Sequence, residues 1–226
     1  MADRLFLAFS DPGSVPEEEF HDWYDHEHLP ARLALPGFHS GTRYRAADGT
    51  APPWLAVYDI DPGTLESPAY RELSASVSER EKSVRERLAV LERREYDLIS
   101  DERPAGDPDT SAADGSGHGG GHASDAAPTI LMVAMSVPAD GVDDMNDWYS
   151  EEHIPMLLAV PGWRRSRRYR RASGDGPEYL SFHDVDGTHV FDRDEYKAAV
   201  STPWRARILQ SAIGRERRVF TRYPAP

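Results

Sequence analysis

Apolar positions run continuously through RLFLAFS, from Arg4, and again through TILMVAMSV, from Thr129. Runs of that length, followed by turn residues, read as strands buried on both faces. After each comes an acidic segment, PEEEF or DGVDDM, and then a mixed-polarity stretch of helical character. Acidic residues suit the positive end of a helix, and Pro16 suits a first helical turn. Pro36-Gly37 and Pro161-Gly162 are stop signals for those helices. FHSGTRYRA and WRRSRRYRRA then predict second strands, and WLAVYDID and YLSFHDVD third strands. A second helix is expected around residues 67–90 in the first half and 193–212 in the second, and a last strand at RREYDLI and RRVFTRY. The pattern is strand-helix-strand-strand-helix-strand, written twice, which is the split βαβ or ferredoxin-like order of an α+β fold.

The two halves are copies. Residues 5–61 align without a gap on 130–186, and nineteen of these 57 positions are identical. DWYDHEHLPARLALPGF, from Asp22, recurs as DWYSEEHIPMLLAVPGW, from Asp147. Past residue 61 the offset drifts slightly, so that Tyr70 pairs with Tyr196 and the segment at Glu92 with that at Glu216. Two long copies do not make a solenoid; they suggest a dimer fused into one chain. We expect a first unit over 1–99, a flexible linker over 100–128 and a second unit over 129–226. The linker is rich in Gly, Ser, Asp, Ala and Pro and lacks a hydrophobic period. Its HGGGH, with His118 and His122, has metal-ligand residue types, but three glycines disfavour the helix that would hold such a pair, so solvated histidines are expected. Each sheet should cover one face with its helices and the other with the second copy's sheet.

Composition narrows the class of function. A net charge of -13 argues against a nucleic-acid binder, and no apolar run is long enough to span a bilayer. The chain has no cysteine, which excludes disulfides and thiolate chemistry. The N-terminal apolar run is too short for a signal peptide, so a cytoplasmic protein is expected.

Candidate chemistry concentrates in the repeated helix. Residues four apart share a helical face, so Tyr24 should stack on His28 and Trp23 on Glu27. Phe20, Tyr24, His28 and Ala31 form one stripe toward the sheet, and Met145, Tyr149, His153 and Met156 repeat it. A histidine there can serve as general acid or base, with the tyrosine hydroxyl orienting it or donating to a developing oxyanion. Equally, it can be a core histidine bonded to a backbone carbonyl, with Trp and Tyr as packing. Glu27 and Glu152 point away from their neighbouring histidines and should bond backbone or an arginine.

Differences between the copies add candidates. His21, His26 and His39 stand opposite Asn146, Glu151 and Arg164, and His183 opposite Tyr58. His183 should line a cavity between sheet and helices or be a hydrogen-bonded barrel residue. Asp59 and Asp184 read as strand-end caps. Arg164, Arg165, Arg167, Arg168, Arg170 and Arg171 read as a solvated or salt-bridged edge strand, with a clamp on a substrate carboxylate or enolate as the alternative. No GxGxxG, P-loop, nucleophile elbow or HExxH occurs.

The string W-Y-x-x-E-H-x-P, then P-G-[FW], then an R-Y strand resembles the EthD-like proteins of the dimeric α/β barrel superfamily. It is carried by Trp23, Tyr24, Glu27, His28, Pro30, Pro36, Gly37, Phe38, Arg43 and Tyr44, and by Trp148, Tyr149, Glu152, His153, Pro155, Pro161, Gly162, Trp163, Arg168 and Tyr169. The resemblance covers both halves and leaves out the linker. It implies two ferredoxin-like units packed as a fused pseudo-dimeric α/β barrel, either monomeric or paired as a further homodimer. It also implies a small-molecule enzyme needing no cofactor, working by acid/base chemistry on an aromatic or polyketide-like compound. Dehydration, cyclisation or decarboxylation would make it lyase- or cyclase-like; a cofactor-independent oxygenase is the related case. His28 or His153 would be the acid/base, Tyr24 or Tyr149 the hydroxyl partner, and His183 a pocket residue. Superfamily members that bind haem supply an alternative, a helix histidine as axial ligand; a non-catalytic binding or structural protein is the third.

Overall fold

The computed structural model describes residues 3–105 and 127–223; His118 and His122 lie outside them. Eight strands close into an antiparallel barrel in the order β1-β3-β2-β8-β5-β7-β6-β4. The first half supplies β1 (Arg4–Asp11), β2 (Phe38–Ala46), β3 (Trp54–Ile60) and β4 (Val90–Glu102). The second half supplies β5 (Thr129–Ser136), β6 (Trp163–Gly174), β7 (Tyr179–Val185) and β8 (Ile213–Arg222). Within each half the strand order is fourth-first-third-second, as the split βαβ connectivity requires. The halves join through β2 on β8, with Tyr44 opposite Arg222, and through β4 on β6, with Leu98 opposite Tyr169.

Alternation along the strands makes three layers. Leu5, Leu7, Phe9, Leu55 and Val57 of the first half meet Ile130, Met132, Leu180, Phe182 and Phe220 of the second in one shared core inside the barrel. The opposite faces of the same strands pack outward against the helices, with Phe6, Ala8, Trp54 and Tyr58 in one half and Leu131, Met135, Tyr179 and Val185 in the other. This is why β1, β3, β5 and β7 are apolar on both sides: each fully buried Leu or Phe contributes about 1.5–3 kcal/mol, and both faces are dry. Closure also removes the edges that eight strands would otherwise expose.

The repeated helix is not a continuous α-helix. It comprises α1 (Glu17–Trp23), a π-turn over Tyr24–His28 and α2 (Leu29–Leu33). The second half repeats this as α5 (Val142–Trp148), a π-turn over Tyr149–His153 and α6 (Ile154–Leu158). In each π-turn an amide reaches back five residues: Leu29 N–H bonds the Tyr24 carbonyl, and Ile154 N–H the Tyr149 carbonyl. Pro30 and Pro155 supply the cause, since a proline has no N–H to give the carbonyl four residues back and its ring crowds that carbonyl. The wider turn makes room, and such turns recur at functional sites.

The second helix of each half is also broken, into α3 (Pro68–Ala75) and α4 (Glu79–Arg87), and into α7 (Asp194–Ala199) and α8 (Pro203–Ser211). Single helices over 67–90 and 193–212 are therefore corrected. Ser78 and Thr202 start the second pieces by accepting the amides of Glu81 and Arg205, a competing local bond that ends the preceding helix. Stop signals act as expected: Gly37 and Gly162 sit at φ 88 and 91, and a Cβ on Gly37 would lie 2.3 Å from the Thr64 hydroxyl oxygen.

Candidate functional site

The π-turn sets the geometry of the motif. With five residues per closing bond, His28 comes over Trp23, with ring centres 4.5 Å apart, as well as over Tyr24, at 4.8 Å. His153 likewise stacks on Trp148 at 4.3 Å and meets Tyr149 edge-on at 5.7 Å. The expected Trp-Glu stacking is thus corrected. Glu27 and Glu152 serve the second helix instead, accepting from the Ser78 hydroxyl and, at 2.6 Å, from the Thr202 hydroxyl. The Glu of the repeated motif is a brace between helices, bound neither to backbone nor to an arginine.

Each half encloses a cavity between its sheet and helices. The first has about 740 Å³ of empty space counting its open mouth, and Trp23, Tyr24, His28, Tyr58, Arg85 and Arg93 are among its walls. Here His28 Nδ1 lies 3.3 Å from Glu81 Oε1, and Arg32 donates to that same oxygen at 2.8 Å and to the His28 carbonyl at 3.1 Å. The histidine-carboxylate contact has the distance of an ion pair without the alignment of a full hydrogen bond. Burial pushes His28 down to about 4, so it is neutral at neutral pH. Burial alone would raise Glu81, but His28 and Arg32 hold its carboxyl down at about 2. An ionised carboxylate beside Nδ1 favours the tautomer with the proton on Nδ1, which leaves a lone pair on Nε2. The Tyr24 hydroxyl bonds Tyr58 at 3.2 Å rather than His28, and burial raises its pKa. The Trp23 indole N–H, on the cavity wall, has no partner among the described residues.

The second cavity is smaller, with about 420 Å³ of empty space only when its open mouth is counted, and His153, Tyr149 and His183 are all on its walls. Arg205 occupies the place of Glu81, three residues past the capping hydroxyl, and Leu157 replaces Arg32. Among the described residues His153 therefore faces a cation and no carboxylate; burial and then Arg205 push it down to about 3, against a hydrogen bond to the Ala199 backbone. His183 is also pushed down to about 3, first by burial. Its Nδ1 lies 3.0 Å from the Ser166 hydroxyl oxygen, which accepts the Trp163 indole N–H at 3.0 Å. The buried Ser166 hydroxyl then has His183 Nδ1 as its acceptor, which puts the His183 proton on Nε2. The copies differ here by a matched exchange: where the second half has Ser166 beside His183, the first has Gly41 beside the larger Tyr58, and a Cβ on Gly41 would meet the Tyr58 ring at 3.0 Å.

The other differences are conservative in role. Arg43, buried under the first helix, donates to His21 Nδ1 at 2.8 Å and to Asp25 at 2.6 Å, with its guanidinium 4.4 Å from the Tyr24 ring centre. Arg168 does the same in the second half, donating to Asn146 at 2.7 Å and lying 4.1 Å from the Tyr149 ring centre. His39 with Asp61 is matched by Arg164 with Asp186. The arginine-rich strand is not an edge, because β6 pairs with both β4 and β7. Its cations are engaged internally: Arg165 with Asp101, Arg167 with Asp184, Arg170 with Glu178 and Arg171 with the Gly176 carbonyl. Asp184 is thereby an ion-pair partner, while Asp59 accepts from Ser40 at 2.6 Å; neither is the turn cap expected of it. Among the described residues no group of three or more metal-ligating side chains converges, and no helix is long and apolar enough to cross a membrane.

Glu81 and Arg32 were not singled out from the sequence. Their signal was present in the repeat: Glu81 falls opposite Arg205 and Arg32 opposite Leu157, a paired loss of one acid and one base around the shared histidine.

No family model matches the chain, and no curated protein does. Among solved structures it is similar to an anthrone oxidase-like protein, at 15% identity and a TM-score of 0.64 over 98% of this chain and 91% of that one. It is also similar to a chlorite dismutase from Candidatus Nitrospira defluvii (11% identity, TM-score 0.60, 98% and 91% covered). A heme-degrading enzyme from Listeria monocytogenes aligns at 10% identity and a TM-score of 0.50 over 98% of this chain and 99% of that one. At these identities the likeness concerns the fold alone. The chain is an α+β protein whose closed eight-stranded antiparallel barrel matches the dimeric α/β barrel proteins and whose two like halves are consistent with a pseudo-dimer.

Proposed function

We propose that the first-half cavity is the active site of a small-molecule enzyme of the EthD-like kind, with units 1–99 and 129–226 as its two copies. The observation that carries this is the His28–Glu81–Arg32 cluster: His28 and Arg32 are on the cavity wall, and the buried Glu81 contacts both. His28 acts as general base through Nε2, since its imidazole is neutral at working pH and Glu81 favours the tautomer with the proton on Nδ1. Arg32 keeps Glu81 ionised, so the carboxylate stabilises the imidazolium that forms when His28 takes a proton. The unpaired Trp23 N–H is placed to donate to negative charge that develops on the substrate. Aromatic walls and the Arg85 and Arg93 cations favour a planar, acidic compound of the aromatic or polyketide-like class. Proton abstraction from such a compound serves dehydration or cyclisation; in decarboxylation His28 would take the carboxylic acid proton, CO2 would leave, and the proton would return to the carbanion. None of these needs a cofactor. Tyr24 is a wall that holds the His28 ring. His153, Tyr149 and His183 sit in a half that lacks the carboxylate and are not assigned this chemistry.

Deuterium wash-in to acidic C–H positions of aromatic β-keto compounds, followed by NMR, tests the reading. His28→Gln should abolish exchange while His153→Gln retains it, both variants being folded by circular dichroism. Full exchange by a folded His28→Gln protein would sink the proposal.

One observation favours haem as a second reading. A ligating histidine is commonly held by a carboxylate on its other ring nitrogen, which is how Glu81 stands to His28. His28 would hold the iron and Arg85 and Arg93 the propionates, and the group would supply redox and oxygen chemistry when bound. A stoichiometric Soret band on adding haemin, lost in His28→Gln, would select this reading over the cofactor-free one.

A further inference from the structure

The second half has not merely lost the first half's acid; it has gathered uncompensated positive charge around an apolar cavity. Arg205 stands where Glu81 stands, Arg215 where Leu91 stands, and Arg217 repeats Arg93. All three are on the cavity wall, and among the described residues no carboxylate lies within 4.0 Å of any of them. The Arg205 guanidinium donates to the Val200 carbonyl, at 2.8 Å, and that of Arg217 to the Tyr196 hydroxyl, at 3.3 Å. Glu216, between Arg215 and Arg217, faces the barrel interior and pairs with Arg94. Four of the six arginines on β6 pair with carboxylates, whereas none of these three does.

One further group on the same wall lacks a partner: the Trp148 indole, 1% exposed, whose buried Nε1 makes no hydrogen bond among the described residues. An indole N–H can only donate, so what completes it must be an acceptor. Leu131, Met135, Leu157 and Leu209 supply the remaining wall.

We infer that the second-half cavity is a binding site for a small organic carboxylate, distinct from the first-half site. The carboxylate sits among Arg205, Arg215 and Arg217, takes the Trp148 N–H, and lays its apolar body on the leucine and methionine wall. Charge-assisted bonds to arginine in a partly dry site are the strong ones, and here they relieve repulsion among the three cations. The inference does not depend on catalysis in the first half.

Methionine methyl labelling tests it, because Met135 lines the cavity while Met132 lies inside the barrel. Benzoate is expected to shift the Met135 resonance saturably, leave Met132 in place, and bind about tenfold or more tighter than neutral benzamide. Arg205→Glu, which restores the first half's residue, should abolish the shift. Arg205→Gln and Arg215→Leu should each weaken it about tenfold, and they decide the matter where the charge reversal fails to fold. The inference is overturned if benzamide binds as tightly as benzoate, if benzoate leaves Met135 unmoved, or if folded Arg205→Gln and Arg215→Leu proteins bind like the parent.

Discussion

Lowering the pH should unfold this protein earlier than its abundant carboxylates alone would. His28, His153 and His183 stay neutral in the folded chain to about 4, about 3 and about 3, against 6.5 for a free histidine. Between those limits the unfolded chain binds protons that the folded chain refuses. Stability is therefore full above about pH 6.5 and is lost as pH falls toward the folded values, at up to about 1.4 kcal/mol per pH unit for each histidine. Near pH 5 all three act together, giving a slope of roughly 4 kcal/mol per pH unit. Carried down to about pH 4, the loss is on the order of 10 kcal/mol, comparable with the whole stability of a typical domain. Glu81, held at about 2 in the fold, adds a loss of the same sign below its ordinary 4.5. The assay is urea unfolding followed by circular dichroism at half-unit steps from pH 7.5 to about 4.5, with the slope of stability against pH read as proton uptake. Uptake near three protons per molecule at about pH 5 is expected. Stability unchanged between about pH 7 and pH 5 would refute the reasoning, because it would mean the three rings titrate as they do in water.

Two substitutions probe the packing beneath the candidate site. Glu81→Gln leaves the buried Arg32 without its partner and should cost about 3–5 kcal/mol in urea unfolding; adding Arg32→Leu, the second half's residue, should recover most of that. Ser166→Ala strips a partner from both the Trp163 indole and His183 Nδ1, and should cost roughly 2–4 kcal/mol while leaving first-half chemistry intact.

Much of the barrel is legible in the sequence. The apolar runs at Leu5 and Ile130 recur at a fixed offset, and a strand apolar on both faces has to be covered twice, which a second copy of the sheet accomplishes. The helical stretches were readable only in part. A period of 3.6 gives Tyr24 over His28, but the π-turn adds Trp23 to that stack, and its cause is a proline two residues beyond the histidine. The breaks before Ser78 and Thr202 were missed because capping by a hydroxyl leaves little trace in the hydrophobic pattern. Glu81 was missed for another reason. It is a charged residue in a strongly charged helix, and only the fold brings it to His28, fifty-three positions away in the chain. Arginines on β6 read as an exposed edge until closure of the barrel gave that strand two neighbours.

Residue-resolved long-range ¹H–¹⁵N spectra of the His28 ring test the central claim most directly. A neutral imidazole with its proton on Nδ1, an unprotonated Nε2 and a titration midpoint at about 4 is the predicted result. A ring that titrates near 6.5, or one that carries its proton on Nε2, would contradict the assignment of His28 and Glu81 as the working pair.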